Sequence, residues 1–496
     1  MLKQKLILSY GTKLFLQFFQ IAVTIVVARI AGASVLGTIA FATSYVSLFL
    51  IFFDLGQGVA HIKLISEGKD ADTCNGIYFR IQFVLSLVFL IVVIGFLLIQ
   101  KYILKYHFET PQHEIVIWIT IITVMMGIWQ STYRTTFNAY TEQAKADVPD
   151  FLKQIIYNVL RLLVVVLGYK AIAIALSNLI ATILIMPVIF YLFKGNKIGS
   201  FNRSLFKEYV IISLPVFVTN IVEYLMNYSD KVFLQYWYNS AEVGFYAAGF
   251  SIGGFILLFG NSIGILFLPT FSKHISEKKF ESVNNIVNKY ERFCFIFLFP
   301  LALFSAIYAD VIVKIILGNQ YLSSIPILGI INLNAFMITY FIVYGNIISA
   351  NGSFKTNAKY YLIKLAIFMG FSIFLSAPFL LNLKGIGFAI ALSISNLIVG
   401  ILFVSHIKNK IALIKVIPNK ALVFYALFFS ITALLIYNII GGVLFKIVFG
   451  IMFFVSYWGL LFVLRLVSVE DFKMLMDLIN IKKMKQYIKG EIFRYE

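Results

Sequence analysis

A stripe of polar side chains lies within one long apolar segment of this chain. Asn220, Glu223, Asn227 and Asp230 are spaced by three, four and three residues, so they share one face of a helix. Such a stripe must face a cavity or another helix, because hydrocarbon offers no hydrogen-bond partners. Amide and carboxylate groups together suit the hydroxyls of a sugar. The alternative is that the stripe only joins neighbouring helices.

A second kind of chemistry is suggested by carboxylates inside apolar segments. An ionisable group in a membrane span is costly, so each one is a candidate for function. Asp54, Glu223 and Asp230 are therefore candidates for carrying a coupling proton or sodium ion. For Asp54 the alternative is an ion pair at a helix end with Lys63.

Two further amides, Asn332 and Asn334, lie in another apolar segment together with several tyrosines. Amide and aromatic side chains together suit carbohydrate binding. Tyrosine is abundant throughout the chain, with 28 residues, so this second stretch is a weaker indication of a sugar site.

Patterns that would indicate catalysis are missing from the sequence. The five histidines are scattered, no metal-ligand spacing occurs, and no phosphate-binding glycine loop is found. We therefore expect no catalytic residues, no metal and no cofactor. The energy for any transport would come from an ion gradient, the membrane potential or consumption of the product.

The elements that must position these residues are membrane-spanning helices. About 20 apolar residues cross the hydrocarbon core of a bilayer. Fourteen segments reach that length: Lys13–Ile30, Leu36–Ala60, Tyr78–Gln100, Ile115–Asn138, Phe151–Gly168, Ala171–Phe193, Tyr209–Gln235, Val243–Phe271, Phe293–Leu317, Ile325–Ala350, Tyr360–Leu381, Gly385–His406, Ala421–Ile440 and Val443–Val467.

Composition and charge agree with a multi-pass membrane protein. Hydrophobic residues make up 61% of the chain and charged residues only 13%. If the fourteen segments alternate across a bilayer, 33 of the 41 Lys and Arg residues fall on one side and 8 on the other. Positive loops stay in the cytoplasm, so both termini are expected to be cytoplasmic. The net charge of +19 is spread over short membrane-proximal ends, which argues against nucleic acid and for contact with the lipid bilayer.

An internal repeat divides the chain. The segment "ARIAGASVLGTIAFA" aligns with "YWYNSAEVGFYAAGF", which matches Gly37 to Gly244, and a later pair of segments matches Ala139 to Ala350. The nearly equal offsets of 207 and 211 predict a duplicated six-helix unit with the substrate site between the copies.

The expected fold is all-α and polytopic, with two six-helix lobes and two extra C-terminal helices. The predicted lobes are residues 1–205 and 206–415, and the extra helices lie in 416–468. Residues 469–496 alternate Lys with Met, Leu and Ile and are predicted to form an amphipathic cytoplasmic tail. Residues Lys273–Arg292 are likewise predicted to form a surface helix between two spans.

The opening "ARIAGASVLGTIAFATSYVSLFLIFFDLGQGVAHIKLIS" and its second-half counterpart "SDKVFLQYWYNSAEVGFYAAGFSIGGF" resemble a known family. They are similar to the polysaccharide-transporter branch of the MATE-like (MOP) flippase superfamily, and most of all to Wzx-type flippases of O-antigen and capsule repeat units. The resemblance covers about residues 5–410 and includes the Asp54-Leu55-Gly56 run.

The resemblance implies a function and a location. It implies alternating-access transport of an undecaprenyl-diphosphate-linked oligosaccharide to the periplasmic leaflet of the bacterial inner membrane. The partners that it implies are this lipid-linked substrate, a polysaccharide polymerase and a chain-length regulator.

A diphosphate substrate requires fixed cations. Arginine binds phosphate with two parallel hydrogen bonds and lysine acts as a point charge. The alternative is that these side chains reach the headgroups at the membrane surface. The candidates for the diphosphate are Arg134, Arg161 and Lys364. Arg29 and Lys231 are further candidates for substrate binding.

Two other readings of the sequence remain open. A drug/ion antiporter of the same fold would have twelve spans and a more acidic cavity. A membrane polysaccharide polymerase would need a substantial periplasmic loop, whereas the longest predicted outer connection is Lys101–Glu114.

Overall fold

The computed structural model describes residues 2–410, 420–439 and 442–464, and this part of the chain is helical without any strand. The predicted tail 469–496 lies outside the described residues. The helices are α1 Leu2–Leu48, α2 Gln57–Ser66, α3 Ala71–Leu98, α4 Pro111–Ala139, α5 Gln143–Val166, α6 Ala171–Phe193, α7 Arg203–Trp237, α8 Ser240–Gly253, α9 Leu257–Ser276, α10 Phe280–Phe293, α11 Phe299–Ile307, α12 Ala309–Ile316, α13 Ile325–Ala350, α14 Phe354–Ser376, α15 Lys384–Lys410, α16 Lys420–Ile439 and α17 Val443–Val463.

The all-α membrane fold is confirmed. Nine helical stretches in the described part of the chain are long and apolar enough to cross a membrane. Two of the predicted spans, Ala171–Phe193 and Ile325–Ala350, coincide with α6 and α13. The count of fourteen spans stays a prediction, as does the division into two repeat-related lobes.

The first two predicted spans differ from the helices that form. α1 passes through both, with a kink at Gly32, where φ is 84°. The second span does not continue to Ala60, because the helical chain breaks after a short 3-10 turn at Phe49–Phe52. Asp54 therefore lies in a break between helices and not within one.

The predicted surface helix at Lys273–Arg292 is also different. α10 runs from Phe280 to Phe293 and continues through a π-helical segment, Cys294–Leu298, into α11. Val283 and Val287 on its apolar face are buried. The amphipathic pattern thus marks the packed beginning of a long helix, since its apolar face is covered by protein.

Local sequence explains where several helices begin. Asp70 caps α3 by accepting hydrogen bonds from the Thr73 amide (2.9 Å) and hydroxyl (2.5 Å). These bonds to the carboxylate hold the pKa of Asp70 below its usual value. Asn202 caps α7 in the same way, accepting from the amides of Ser204 and Leu205.

The described part of the chain forms two compact units, residues 11–248 and the described residues from 249 onward together with residues 2–10. In the first, one apolar core gathers side chains from α2 to α7, including Leu64, Ile77, Phe137 and Phe193. In the second, a larger core gathers side chains from α9 to α13 and from α15 to α17.

The last described helix, α17, is hydrogen-bonded to the π-helical segment that precedes α11. The π-helical segment Cys294–Leu298 leaves its carbonyls out of the regular helical pattern. The Tyr457 hydroxyl donates to the Phe295 carbonyl and the Trp458 indole N–H donates to the Ile296 carbonyl, each at 2.8 Å. α17 therefore satisfies backbone groups that the π-helical segment exposes.

A very close helix crossing occurs within the first unit, between α1 and α8. A Cβ atom added to Gly37 would lie 1.7 Å from the Ser240 carbonyl oxygen, and one added to Gly244 would lie 1.9 Å from the Ala33 carbonyl oxygen. Only glycine permits this approach. The two glycines that the repeat alignment matches thus face each other's helices.

The loop between α3 and α4 is hydrogen-bonded to the end of α7 and the beginning of α8. The Glu109 carboxylate accepts from the Ser240 amide and the Gln235 side chain, both at 2.8 Å. Ser240 also bonds the buried His113 ring at 2.8 Å. Desolvation opposes ionisation of Glu109, but the hydrogen bonds from Ser240 and Gln235 prevail and lower its pKa.

Candidate functional site

The polar face of α7 borders a pocket within the first unit. Its volume is about 210 Å³. Five of its lining residues come from α7 and one from the break after Phe49–Phe52. They are Asp54, Asn220, Glu223, Tyr224, Asn227 and Tyr228.

The Asp54-Leu55-Gly56 run is held against α7. The Tyr224 hydroxyl donates to Asp54 Oδ2 at 3.2 Å, and the Asn220 amide donates to the Asp54 carbonyl at 3.4 Å. Gly56 has φ 87°, and a Cβ there would lie 2.8 Å from the Ser213 carbonyl oxygen. Glycine therefore supplies both the left-handed backbone and the close approach that place Asp54 at the pocket.

Three of the four stripe residues line this pocket as a group. Asn220, Glu223 and Asn227 occupy successive turns of α7, as their spacing requires. The structure thus brings together Asp54 and Glu223, two of the three candidates for ion coupling.

Asp230, the fourth stripe residue, is not among the lining residues. Its side chain is buried and its Oδ1 lies 3.0 Å from the Lys231 ammonium. The Lys231 ammonium also lies 5.6 Å from the centre of the Tyr246 ring. Asp230 and Lys231 therefore neutralise each other, and their predicted roles in substrate binding and coupling are not supported by any contact with the pocket.

Sequence reasoning missed the two tyrosines of the pocket. Tyr224 and Tyr228 stack with ring centres 6.0 Å apart and planes inclined by 22°. Tyr224 is four residues from Asn220, so helical spacing alone could have added it to the stripe.

Arg161 is a buried cation in α5. Only 5% of it is exposed, and its guanidinium donates to the Thr24 hydroxyl at 3.1 Å and lies 5.8 Å from the Tyr157 ring centre. Within the described part of the chain, no carboxylate is in ion-pair contact with it, and its Nε is buried without a hydrogen-bond partner. Among the predicted cations, Arg161 therefore has the environment best suited to binding an anion.

Arg134 has a different environment from Arg161. Its guanidinium pairs with Asp150 at 2.9 Å and approaches Asp147 at 3.9 Å, linking α4 to α5. Its charge is therefore already neutralised by protein carboxylates.

Two other predicted cations are more open. Arg29 is exposed on α1 just before the kink at Gly32. Lys364 is half-buried on α14, with its ammonium 5.7 Å from the centre of the Tyr361 ring.

The two amide side chains of α13 that the sequence singled out are hydrogen-bonded within the helix bundle. Asn334 Oδ1 accepts from Asn396 of α15 at 2.9 Å, and the Asn332 amide donates to the Leu328 carbonyl of its own helix at 3.0 Å. Both residues are buried. Asn334 thus takes part in hydrogen bonding between helices and Asn332 bonds within its own helix, and neither borders the pocket on α7.

The pocket offers hydrogen-bond donors and acceptors that can bind a polar ligand. Amides and tyrosine hydroxyls donate and accept hydrogen bonds, and carboxylates accept them, which matches the alternating donors and acceptors of a sugar. None of the described residues that line the pocket is Lys or Arg. In the described residues there is no group of three His, Cys, Asp or Glu side chains that could hold a metal ion.

Comparisons with solved structures identify the fold. The chain is similar to the lipid II flippase MurJ in an inward closed conformation, with TM-score 0.73 and 17% identity over 93% of this chain and 100% of that one. It is also similar to an inward-facing multidrug resistance transporter of the MATE family in the MOP superfamily, with TM-score 0.62 and 13% identity over 79% and 95% of the chains. A mutant of the Vibrio cholerae MATE transporter VcmN gives TM-score 0.57 and 12% identity over 83% and 98%.

These identities are low, so the likeness concerns the fold. A search of curated protein sequences finds no significant match to the chain. The family model described as "Polysaccharide biosynthesis protein" matches residues 26–326, which is more than half of the chain. The protein, a multi-pass membrane protein with a fold like those of MurJ and the MATE transporters, therefore belongs to the polysaccharide biosynthesis protein family.

Proposed function

We propose that the protein is a flippase for undecaprenyl-diphosphate-linked oligosaccharide repeat units. It moves them from the cytoplasmic to the periplasmic leaflet of a bacterial inner membrane by alternating access, for the assembly of O-antigen, capsule or exopolysaccharide. The observation that carries the proposal is the pocket on α7, where amides, carboxylates and tyrosines are gathered within a flippase-like fold. Membership of a polysaccharide biosynthesis family supports the same substrate class.

The parts of the substrate are assigned to different residues in this proposal. Asn220, Glu223 and Asn227 bind sugar hydroxyls, since they border the pocket on successive turns. Arg161 binds the diphosphate, because its buried guanidinium has neutral partners and retains an unused N–H.

A second function is favoured by one feature of the same pocket. Two of its six described lining residues are carboxylates, and none of the six is a cation. Such a pocket also suits a cationic drug or a coupling ion, as expected for a drug/ion antiporter of this fold.

Complementation of a bacterium that lacks this gene tests the proposal. The readouts are surface polysaccharide and the lipid-linked repeat units that accumulate in the cell, with the membrane abundance of every variant checked. We expect Glu223→Gln and Asn227→Ala to reduce export roughly tenfold, because a hydrogen bond to a charged or amide partner contributes about 1–2 kcal/mol.

Matched controls exist within the same unit. Glu208→Gln removes a charge from α7 at an exposed ion pair with Lys69, and Asn196→Ala removes an amide that bonds only the nearby Phe193 carbonyl. Both controls should export normally. If the deletion strain itself keeps its surface polysaccharide, the flippase proposal is wrong and drug efflux becomes the next assay.

A further inference from the structure

A buried carboxylate lies in the second unit, far along the chain from the residues of the α7 pocket. Glu291 is in the last turn of α10 and is only 3% exposed. It belongs to none of the groups discussed above for substrate or ion binding. Its burial therefore needs a separate explanation.

The partners of Glu291 are two tyrosine hydroxyls from one neighbouring helix. Tyr340 donates to Glu291 Oε1 at 3.0 Å, and Tyr344, one turn further along α13, donates to the same oxygen. Tyr344 is fully buried. The carboxyl group is thus the point at which α10 and α13 are joined by hydrogen bonds.

The described groups that interact with Glu291 carry no positive charge. The titratable groups that face it are Tyr340 and Tyr344 on α13 and, one turn on in its own chain segment, Cys294. Within the described residues no Lys, Arg or His forms an ion pair with it. The two tyrosine O–H groups stabilise an ionised carboxylate in part, but burial without a counter-ion among the described residues opposes ionisation.

A metal ion does not fit the same place. The two tyrosine hydroxyls use their protons on Glu291 Oε1, and no group of three acidic, His or Cys side chains is found in the described part of the chain. A proton satisfies the site instead, because it removes the charge and leaves Oε1 free to accept from both tyrosines.

The backbone next to Glu291 is irregular. The π-helical segment Cys294–Leu298 begins three residues later and connects α10 to α11. Segments of this kind often accompany functional positions and provide a place where a helix can change register. A change in the contact between α10 and α13 would therefore act on a backbone that already departs from the regular α-helix.

We propose that Glu291 is a proton-binding site, and that its bound proton holds α10 against α13. Loss of the proton leaves a buried charge that draws water towards the carboxylate and loosens the packing of the two helices. The site is independent of the transported substrate.

Infrared spectroscopy of the full-length protein in lipid nanodiscs tests the proton directly. A protonated carboxyl group gives a C=O stretching band that a carboxylate lacks. At neutral pH we expect one such band to be lost in Glu291→Gln and to shift in Tyr344→Phe, where one hydrogen bond to the carboxyl oxygen is removed. Glu281→Gln, on the exposed face of α10, is the matched control and should leave the band unchanged.

Hydrogen exchange tests the effect of the proton on the helices. After correction for the intrinsic pH dependence, amides of residues 280–293 should exchange faster in the wild type at alkaline pH than at neutral pH. Glu291→Gln, which is neutral at every pH, should abolish that acceleration.

Each result decides the proposal. A neutral-pH spectrum in which Glu291→Gln removes no carboxyl band overturns the proton site, and acceleration that persists in this variant overturns the link to helix packing. Should Glu291→Gln fail to fold, Tyr344→Phe retains the carboxyl group, and an unshifted band in that variant counts against the proposal in the same way.

Discussion

His61 is a fully buried imidazole that lies between three neighbours in the first unit. Its ring stacks on Tyr78 with centres 4.1 Å apart, and its nitrogens bond the Tyr209 hydroxyl at 2.7 Å and the Thr136 hydroxyl at 3.2 Å. Burial lowers the pKa of His61 from 6.5 to about 3. The imidazole therefore stays neutral in the folded protein at ordinary pH.

This burial predicts a dependence of stability on pH. Below the unfolded-state pKa of 6.5 the unfolded chain binds a proton that the folded chain does not, so stability falls as the pH falls towards about 3. From pH 7 to pH 5 the loss from this group is about 2 kcal/mol. Thermal unfolding in detergent should therefore show that the difference in stability between wild type and His61→Gln becomes smaller as the pH is lowered. A difference that stays constant would contradict the assigned burial of a neutral imidazole.

The pocket shows how residue identity and position combine. Asn220, Glu223 and Asn227 are brought to one surface by helical spacing, whereas Asp54 reaches it through a break in the chain. The tyrosine hydroxyl that bonds Asp54 comes from α7, so the two sequence motifs are joined only in the folded unit.

At the scale of elements, the crossing of α1 and α8 has no room for a side chain. Gly37→Ala and Gly244→Ala each place a methyl group against a backbone carbonyl. We expect a loss of about 1–3 kcal/mol in stability, since a packed helix pair must move apart to admit the methyl group. The measurement is the apparent Tm of the purified variants.

A matched substitution separates this packing effect from helix propensity. Gly95 lies within α3, and a Cβ added there has no atom within 4 Å. Gly95→Ala should therefore keep or slightly raise the Tm, because alanine favours a helix by roughly 1 kcal/mol over glycine. An equal loss of Tm in Gly37→Ala and Gly95→Ala would show that the crossing of α1 and α8 is not tightly packed.

At the scale of the whole molecule, the charge distribution predicts the orientation in the membrane. If the cation-rich ends are cytoplasmic, the connection after α9 faces the cytoplasm and the loop before α4 faces outward. Glu277 is exposed in the connection after α9, and His107 is exposed in the loop before α4. Both native cysteines are buried.

Labelling of single introduced cysteines tests this orientation. A membrane-impermeant thiol reagent should label His107→Cys in intact cells and Glu277→Cys only after the cells are permeabilised. Labelling of Glu277→Cys in intact cells would reverse the assigned topology. Unmodified protein, with Cys74 and Cys294 buried, supplies the background.

The sequence alone determined the class of the protein and the content of individual helices. Apolar length predicts membrane helices, as α6 and α13 confirm, and a period of three to four residues places Asn220, Glu223 and Asn227 on one face. These features follow from the local chain, since the rise and turn of a helix are the same wherever it packs.

Tertiary structure decided which groups meet across helices. It paired Arg134 of α4 with Asp150 of α5 and Glu291 of α10 with the α13 tyrosines, and it placed the break at Asp54 against α7. Nothing in the local sequence distinguishes a charge that is neutralised by a distant partner from one that is left available, because the partner is chosen by the packing of helices far apart in the chain.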